Sequence, residues 1–210
     1  MYIPTRFLET DHETLYQFIR DHSFALLVTN GVASVATGLA PLATHLPMEL
    51  QANGDGTIQL VGHLAKANSQ WKMLGSETPA LAVFSGPHAY ISSSWYDHVN
   101  VPTWNYLAVH VTGRTQILSE EKTLALLHQQ LDHYEANSQC PVSVASMTEA
   151  YVRKEMRGLV GFSMQIETIE GAAKLSQNRD DKNHQAIVDE LKKQNDFNAN
   201  RVAEEMIRRR

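Results

Sequence analysis

At 210 residues the chain is long enough for one generous core, and one compact domain is the default expectation. Hydrophobic residues make up 43% and charged residues 20%, a globular balance; no stretch approaches the roughly 20 apolar residues of a membrane helix, and Met1-Tyr2-Ile3-Pro4-Thr5 lacks the basic-then-apolar layout of a secretory signal. A single cysteine, Cys140, excludes an internal disulfide and makes a reducing cytoplasm the expected home, while a net charge of −5 weighs against a domain that grips nucleic-acid phosphates by itself.

In chain order, Asp11 to Arg20 reads as a short helix capped by Thr10 or Asp11, with Leu15, Phe18 and Ile19 on one face. Phe24 to Thr29 is an apolar strand ending in the Asn30-Gly31 turn. Leu39 to Leu50 is extended, because Pro41 and Pro47 disfavour helix, and Asn53-Gly54-Asp55-Gly56 turns it into a returning strand, Thr57 to Gly62. Ala65 to Leu74 has helical spacing and stops before Gly75. Ala80 to Phe84 and His88 to Ser92 read as two strands separated by Gly86-Pro87. Trp104 to Leu118 is the longest strand, with Leu107, Val109 and Val111 opposed to His110 and Thr112. Glu120 to Ala136 is a helix capped by Ser119, its stripe formed by Leu124, Leu127 and Leu131. Thr148 caps another helix towards Arg157, and Leu159 to Ile169 returns to a period of two. The tail from Asp180 is polar and helical, interrupted around Asn195 to Asn200, with seven basic and seven acidic residues. Many antiparallel strands with peripheral helices indicate an α+β chain closing as a barrel. The expected division is 1–179 for the barrel and 180–210 for a helical extension packed on it or on a dimer partner.

A set of ordered motifs spans nearly the whole chain: Met1-Tyr2-Ile3-Pro4; Ala43-Thr44-His45-Leu46-Pro47; Gly62-His63-Leu64-Ala65-Lys66-Ala67-Asn68 with Gln70-Trp71-Lys72; Gly86-Pro87-His88-Ala89-Tyr90-Ile91-Ser92; Ser94-Trp95-Tyr96; Val101-Pro102-Thr103-Trp104-Asn105-Tyr106; and Lys174-Leu175-Ser176-Gln177-Asn178-Arg179. Together they resemble the PaiB family of FMN-binding negative transcriptional regulators. The resemblance implies a split β-barrel like that of pyridoxamine-phosphate-oxidase-like flavoproteins, FMN as cofactor, and a homodimer with the flavin at the subunit interface. It also implies a repressor role, with DNA binding that the charge does not support. Ser93-Ser94 stands where relatives often carry Ser-Pro.

FMN brings a phosphate dianion, a ribityl chain and a flat apolar ring, which call for cations or N–H donors, small polar groups and close packing respectively. His63, Ala65, Lys66 and Asn68 sit at a strand-to-helix junction, where a lysine and a helix N-terminus would converge on an anion. The alternative is a solvated first-turn lysine beside a strand-end histidine. Thr44 and His45, on the preceding strand, would meet the polar edge of the ring or be ordinary strand residues. Lys174, Ser176, Gln177 and Arg179 follow the last strand; by resemblance this stretch reaches across the dimer to the flavin, and otherwise it is a polar strand exit. Of Trp71, Trp95, Trp104, Tyr90, Tyr96 and Tyr106, one would stack on a flavin and the rest serve as core or interface anchors.

Other chemistries have less to build on. No histidines pair at i, i+4 on a helix and H-E-x-x-H is absent, so no metal site is expected. A haem-binding barrel with a histidine ligand stays open as an alternative, as does an FMN-dependent oxidoreductase acting on a small molecule, though no acid/base pair is spelled out. A nucleophile elbow, a P-loop and Gly-x-Gly-x-x-Gly are all missing. Ser92-Ser93-Ser94 reads as loop polarity and Cys140 as an inert thiol. Arg208-Arg209-Arg210 would be a frayed basic end, with Glu204 and Glu205 on the same helix repelling phosphates.

Overall fold

The computed structural model describes residues 1–31, 40–75 and 77–210. Seven strands run β1 (Leu8–Glu9), β2 (Phe24–Thr29), β3 (Leu42–Ala52), β4 (Ile58–Ala65), β5 (Ala80–Ile91), β6 (Thr103–Ile117) and β7 (Leu159–Lys174). Five α-helices are α1 (His12–Asp21), α2 (Glu120–Glu135), α3 (Glu149–Met156), α4 (Asp181–Lys193) and α5 (Phe197–Arg208). The strands hydrogen-bond in the order β1-β7-β4-β3-β2-β5-β6, and β7 pairs again with β6. Six antiparallel strands therefore close a barrel, with β1 as an added edge on β7. Closure leaves the barrel strands no free edge. This is the α+β split barrel that the motifs imply.

The chain forms two compact units. The first comprises residues 1–22, 84–110 and 169–210, the second residues 23–83 and 111–168. Strands β5, β6 and β7 each run from one unit into the other.

In the second unit, β3 turns into β4 through Asn53 to Thr57. Gly56 supplies the left-handed φ of +82° that this turn needs, and Asn53 N donates to Thr57 O at 2.8 Å. Pairing of Met48 with Gly62 and of Leu50 with Leu60 sets a register that buries Met48, Leu60 and Leu64. The extended run begins at Leu42 among the described residues; Leu39 lies outside them.

Two readings of the chain are corrected here. Gly86-Pro87 does not separate two strands, since β5 continues through both. Its pairing with β2 involves only Leu81 to Val83, so the missing N–H of Pro87 removes no bond of that ladder. A Cβ at Gly86 would lie 2.7 Å from the Phe18 ring, so glycine lets α1 close on the strand. The second correction is to α2. Ser119 caps it as expected, accepting from Lys122 N, but its buried face is Thr123, Leu126 and Gln130; Leu124, Leu127 and Leu131 are only half-buried.

In the first unit, the polar tail is apolar on one side. Ile187, Val188 and Leu191 of α4 and Val202, Ala203 and Met206 of α5 pack with Ile91, Leu107 and Leu175 in one core. Its basic end is ion-paired rather than frayed: Arg209 meets Glu9 (2.6 Å) and Glu205 (3.0 Å), Arg208 meets Glu205 (2.6 Å), and Arg210 meets Asp181. No helix among the described residues is long and apolar enough to cross a membrane.

Candidate functional site

The segment after β4 does not form the α-helix its spacing suggests. It forms a 3-10 turn, Ser69–Met73, capped by Asn68, whose Oδ1 accepts from Gln70 N at 3.0 Å, and Gly75 follows at φ +77°. A short tight turn carries little dipole, so any anion here must be met by side chains. Asn68 also donates from Nδ2 to Thr44 Oγ1 at 2.8 Å, and that hydroxyl donates to Gln70 Oε1. Gln70 is 1% exposed and spends its amide on Leu27 O (3.0 Å), Thr29 Oγ1 (3.2 Å) and Leu42 O (3.2 Å). The structure thus joins two predicted residues, Thr44 and Asn68, directly, and ties both to Gln70, which the motifs did not mark as a site residue. The role of these groups is to lock β2, β3 and the turn together.

Lys66 leaves β4 with its N–H donating to Gly158 O at 2.7 Å, while its carbonyl accepts from Trp71 Nε1 at 3.0 Å. It opens onto a cleft of about 340 Å³ walled by Trp71, Ile117, Leu118, Leu159 and Val160, with Arg157 and Glu120 also at its lining. Behind it α2 and β7 approach so closely that a Cβ on Gly161 would sit 2.5 Å from Thr123 Oγ1. Neither Lys66 nor Arg157 has an ion-pair partner among the described residues, whereas Arg20, Arg114, Arg153 and Arg201 are all paired. Arg157 has no local sequence signal. It lies 91 positions from Lys66 (157 minus 66), and only the β4–β7 pairing of Ala65 with Leu159 brings the two together.

His63 lines a different cavity, between α2 and α3. Its Nδ1 meets Gln130 Oε1 at 2.9 Å, and burial pushes its pKa below the ordinary histidine value. Burial pushes the Glu49 carboxyl up, against the opposing pull of His133, Tyr134 and Gln130 beside it, and among the described residues its Oε1 and the Gln130 Nε2 are both left without a well-formed hydrogen bond. His45 is exposed and stacks on Phe24 with centroids 5.9 Å apart, and Ala65 is exposed at the end of β4.

The other predicted group lies in the first unit. Lys174 donates to Thr103 Oγ1 at 2.5 Å, and burial lowers its pKa. Ser176 is buried at φ 62° and donates to Asn105 Oδ1 at 3.0 Å. Gln177 bridges back to Ala173 O (2.5 Å) and Leu175 N (2.8 Å), and Arg179 lies over the Tyr96 ring at 4.8 Å. The four close a tight strand exit.

Residues 1–168 match the family model described as "Putative FMN-binding domain". The chain belongs to this family. The protease synthase and sporulation protein PAI 2 of Bacillus subtilis is 37% identical over 206 residues, 98% of this chain and 96% of that protein. The flavocytochrome Anf3 from Azotobacter vinelandii superposes with a TM-score of 0.60 at 17% identity, covering 88% of this chain and 78% of that one. The FAD and heme binding protein from Mycobacterium smegmatis gives 0.59 at 15%, covering 85% and 78%. At these identities the two structures share the fold.

FMN is the cofactor this family implies, and the donor set fits it. Among the described residues Lys66 and Arg157 make no ion pair, and they share an apolar wall with the single carboxylate Glu120, in a chain of net charge −5. Phosphate oxygens take such charge-assisted hydrogen bonds well. Among the described residues no three or more His, Cys, Asp or Glu side chains gather where a metal ion would sit.

Proposed function

We propose that this FMN-binding family member is a PaiB-type regulator in which Lys66 and Arg157 meet the flavin phosphate. Trp71, Leu118 and Leu159 line the adjoining wall. The observation that carries the reading is the sharing of one cleft by two cations, Lys66 and Arg157, that make no ion pair among the described residues, with Glu120 as the one carboxylate of the lining. Thr44 and Asn68, tied through Gln70, hold the turn bearing Lys66, with Ala65 and His45 at its margin. The loop of Lys174, Ser176, Gln177 and Arg179 is assigned to the ligand side of a homodimer. When bound, FMN supplies the redox chemistry that side chains lack. Support for the homodimer comes from the exposed aromatics Tyr90 and Trp104, in edge contact at 5.8 Å, beside exposed Val101. Exposed apolar clusters of this kind mark interaction surfaces. With Arg208, Arg209 and Arg210 held by carboxylates, direct DNA contact through α5 is not part of the proposal.

Visible absorption of the purified protein after FMN incubation and gel filtration tests the reading. Wild type should retain flavin, and Lys66→Ala and Arg157→Ala should each weaken it by about tenfold or more. Undiminished retention by the double variant would remove the assigned site. Light scattering should report a dimer, shifted towards monomer by Trp104→Glu.

A further inference from the structure

The strand exit of the first unit holds two cations together. Between Lys174 and Arg179 the chain reverses: Ser176 takes a φ of 62°, the only left-handed residue other than glycine among the described residues, and Arg179 N donates to Ser176 O at 3.0 Å. A serine in that conformation has to be held by its surroundings. Ser176 is 4% exposed, and its hydroxyl is tied to Asn105 Oδ1 at 3.0 Å. The reversal brings both cations to one segment, residues 96–103. Lys174 Nζ donates to Thr103 Oγ1 at 2.5 Å, and the Arg179 guanidinium lies 4.8 Å over the Tyr96 ring. No guanidinium N–H of Arg179 is bonded to an acceptor among the described residues.

The two charges act on each other: the Lys174 pKa is lowered by burial first and by Arg179 second. Like charges held together cost free energy that a counter-ion removes. The carboxylates of the adjoining segments are committed elsewhere. Asp97 is taken by Lys182 (2.8 Å), His98 (2.8 Å) and Asn183 (3.0 Å), and Asp180 caps α4, accepting from Asn183 N at 2.9 Å. Lys174 and Arg179 make no ion pair among the described residues. Two buried polar atoms of the same segment, Tyr96 Oη and Asn100 Nδ2, are also without a hydrogen-bond partner there. Resting on the assignment of this loop to the ligand side, we propose that Lys174 and Arg179 form a seat for one oxyanion, the carboxylate or phosphate of a small molecule. A guanidinium fork beside an ammonium point charge is complementary to such a group. The flavin phosphate is assigned to Lys66 and Arg157 in the second unit, so this oxyanion belongs to a second molecule. With Asp180 and Asp181 next in the chain and Asp97 bonded to Asn183, the surroundings are acidic. That disfavours a nucleic-acid backbone, which lays several phosphates along a surface.

The test uses the full chain carrying Lys66→Ala and Arg157→Ala, so that the other cationic cleft does not contribute. Inorganic phosphate and benzoate are the probes, at constant ionic strength. Broadening of the phosphorus NMR line and saturation transfer to the benzoate protons report binding. At least one probe should bind saturably, and comparison of the two tells phosphate from carboxylate. Lys174→Met and Arg179→Gln, added singly, should each weaken that binding by about tenfold, and Arg179→Lys by less. If Lys174→Met folds poorly, Arg179→Gln, at a partly exposed position, carries the comparison. FMN added in excess should leave the probe bound. The proposal is overturned if neither probe binds saturably, if a folded variant keeps its affinity, or if FMN displaces the probe, which would give the pair to the flavin. Flavin retention by the unsubstituted chain reads the Lys66 assignment separately, so the two can fail independently.

Discussion

Close approaches between strands and helices rest on single glycines. A Cβ at Gly113 of β6 would lie 1.9 Å from Gln165 O of β7, and backbone cannot swing aside. At Gly161 the obstruction is the Thr123 side chain, 2.5 Å from the same ideal position, and at Gly54 nothing lies within 4 Å. Gly113→Ala should therefore cost about 3 kcal/mol or more, Gly161→Ala about 1–3 kcal/mol, and Gly54→Ala close to nothing. Thr123→Ala should recover part of the Gly161→Ala loss in a double-mutant cycle. Urea midpoints give the ranking, and equal costs at Gly113 and Gly54 would show that β6 and β7 do not meet as described. The candidate residues differ in legibility for a similar reason. Lys66 stands out because its motif is local, whereas Gln70 and Arg157 acquire meaning only from partners brought by other strands.

At the scale of the element, periodicity groups residues on a face without saying what that face meets. In α2 the leucines at 124, 127 and 131 form the obvious stripe, yet Leu126, 1% exposed, lies with Thr123 and Gln130 on the buried side. Leu126→Ala should cost about 2–5 kcal/mol and Leu124→Ala less than half of that, measured by chemical denaturation. The reverse order would mean that the leucine stripe is the packed face. Helices α4 and α5 show the same effect. Their overall polarity hides a narrow apolar stripe, and Leu191, fully buried in the shared core, should lose about 2–5 kcal/mol on truncation to alanine. Loss below 1 kcal/mol would argue that the tail does not dock. Gly86-Pro87 misleads in the opposite direction, since a turn signal is overridden where the strand carries no ladder bond to β2 at Pro87 and Phe18 packs on the glycine.

For the whole molecule, pH is the informative variable. Burial holds His22, His63, His110 and His184 below the ordinary value of 6.5. The unfolded chain then takes up protons before the folded one as pH falls. Their stabilising contribution is complete above about 6.5 and is lost as pH falls through the depressed folded values. Glu49 acts with the opposite sign. Burial raises its pKa above 4.5, so its contribution is fully present below about 4.5 and is lost as pH rises through the raised value; four histidines outnumber this one carboxyl. Thermal unfolding should therefore occur at lower temperature at pH 5.5 than at pH 7.5. His63→Gln, which keeps a donor for Gln130, should flatten part of that slope. A midpoint independent of pH over this range would contradict the burial of these rings.

By itself the sequence determined the strand-rich class, the helix caps at Ser119 and Thr148, a cap at Thr10 or Asp11 that the structure gives to Asp11, the turn at Gly56 and the ordered motifs of the family. Each is written in residues close together in the chain, where local backbone preference and hydrogen bonding are sufficient. Only the tertiary structure decided that Lys66 shares a cleft with Arg157, that His63 faces a separate cavity, that Gln70 is a buried hub, and that the terminal arginines are neutralised. Those outcomes depend on strand register and on which helix face meets the barrel. Both are set by packing between residues far apart in sequence, which no local pattern encodes.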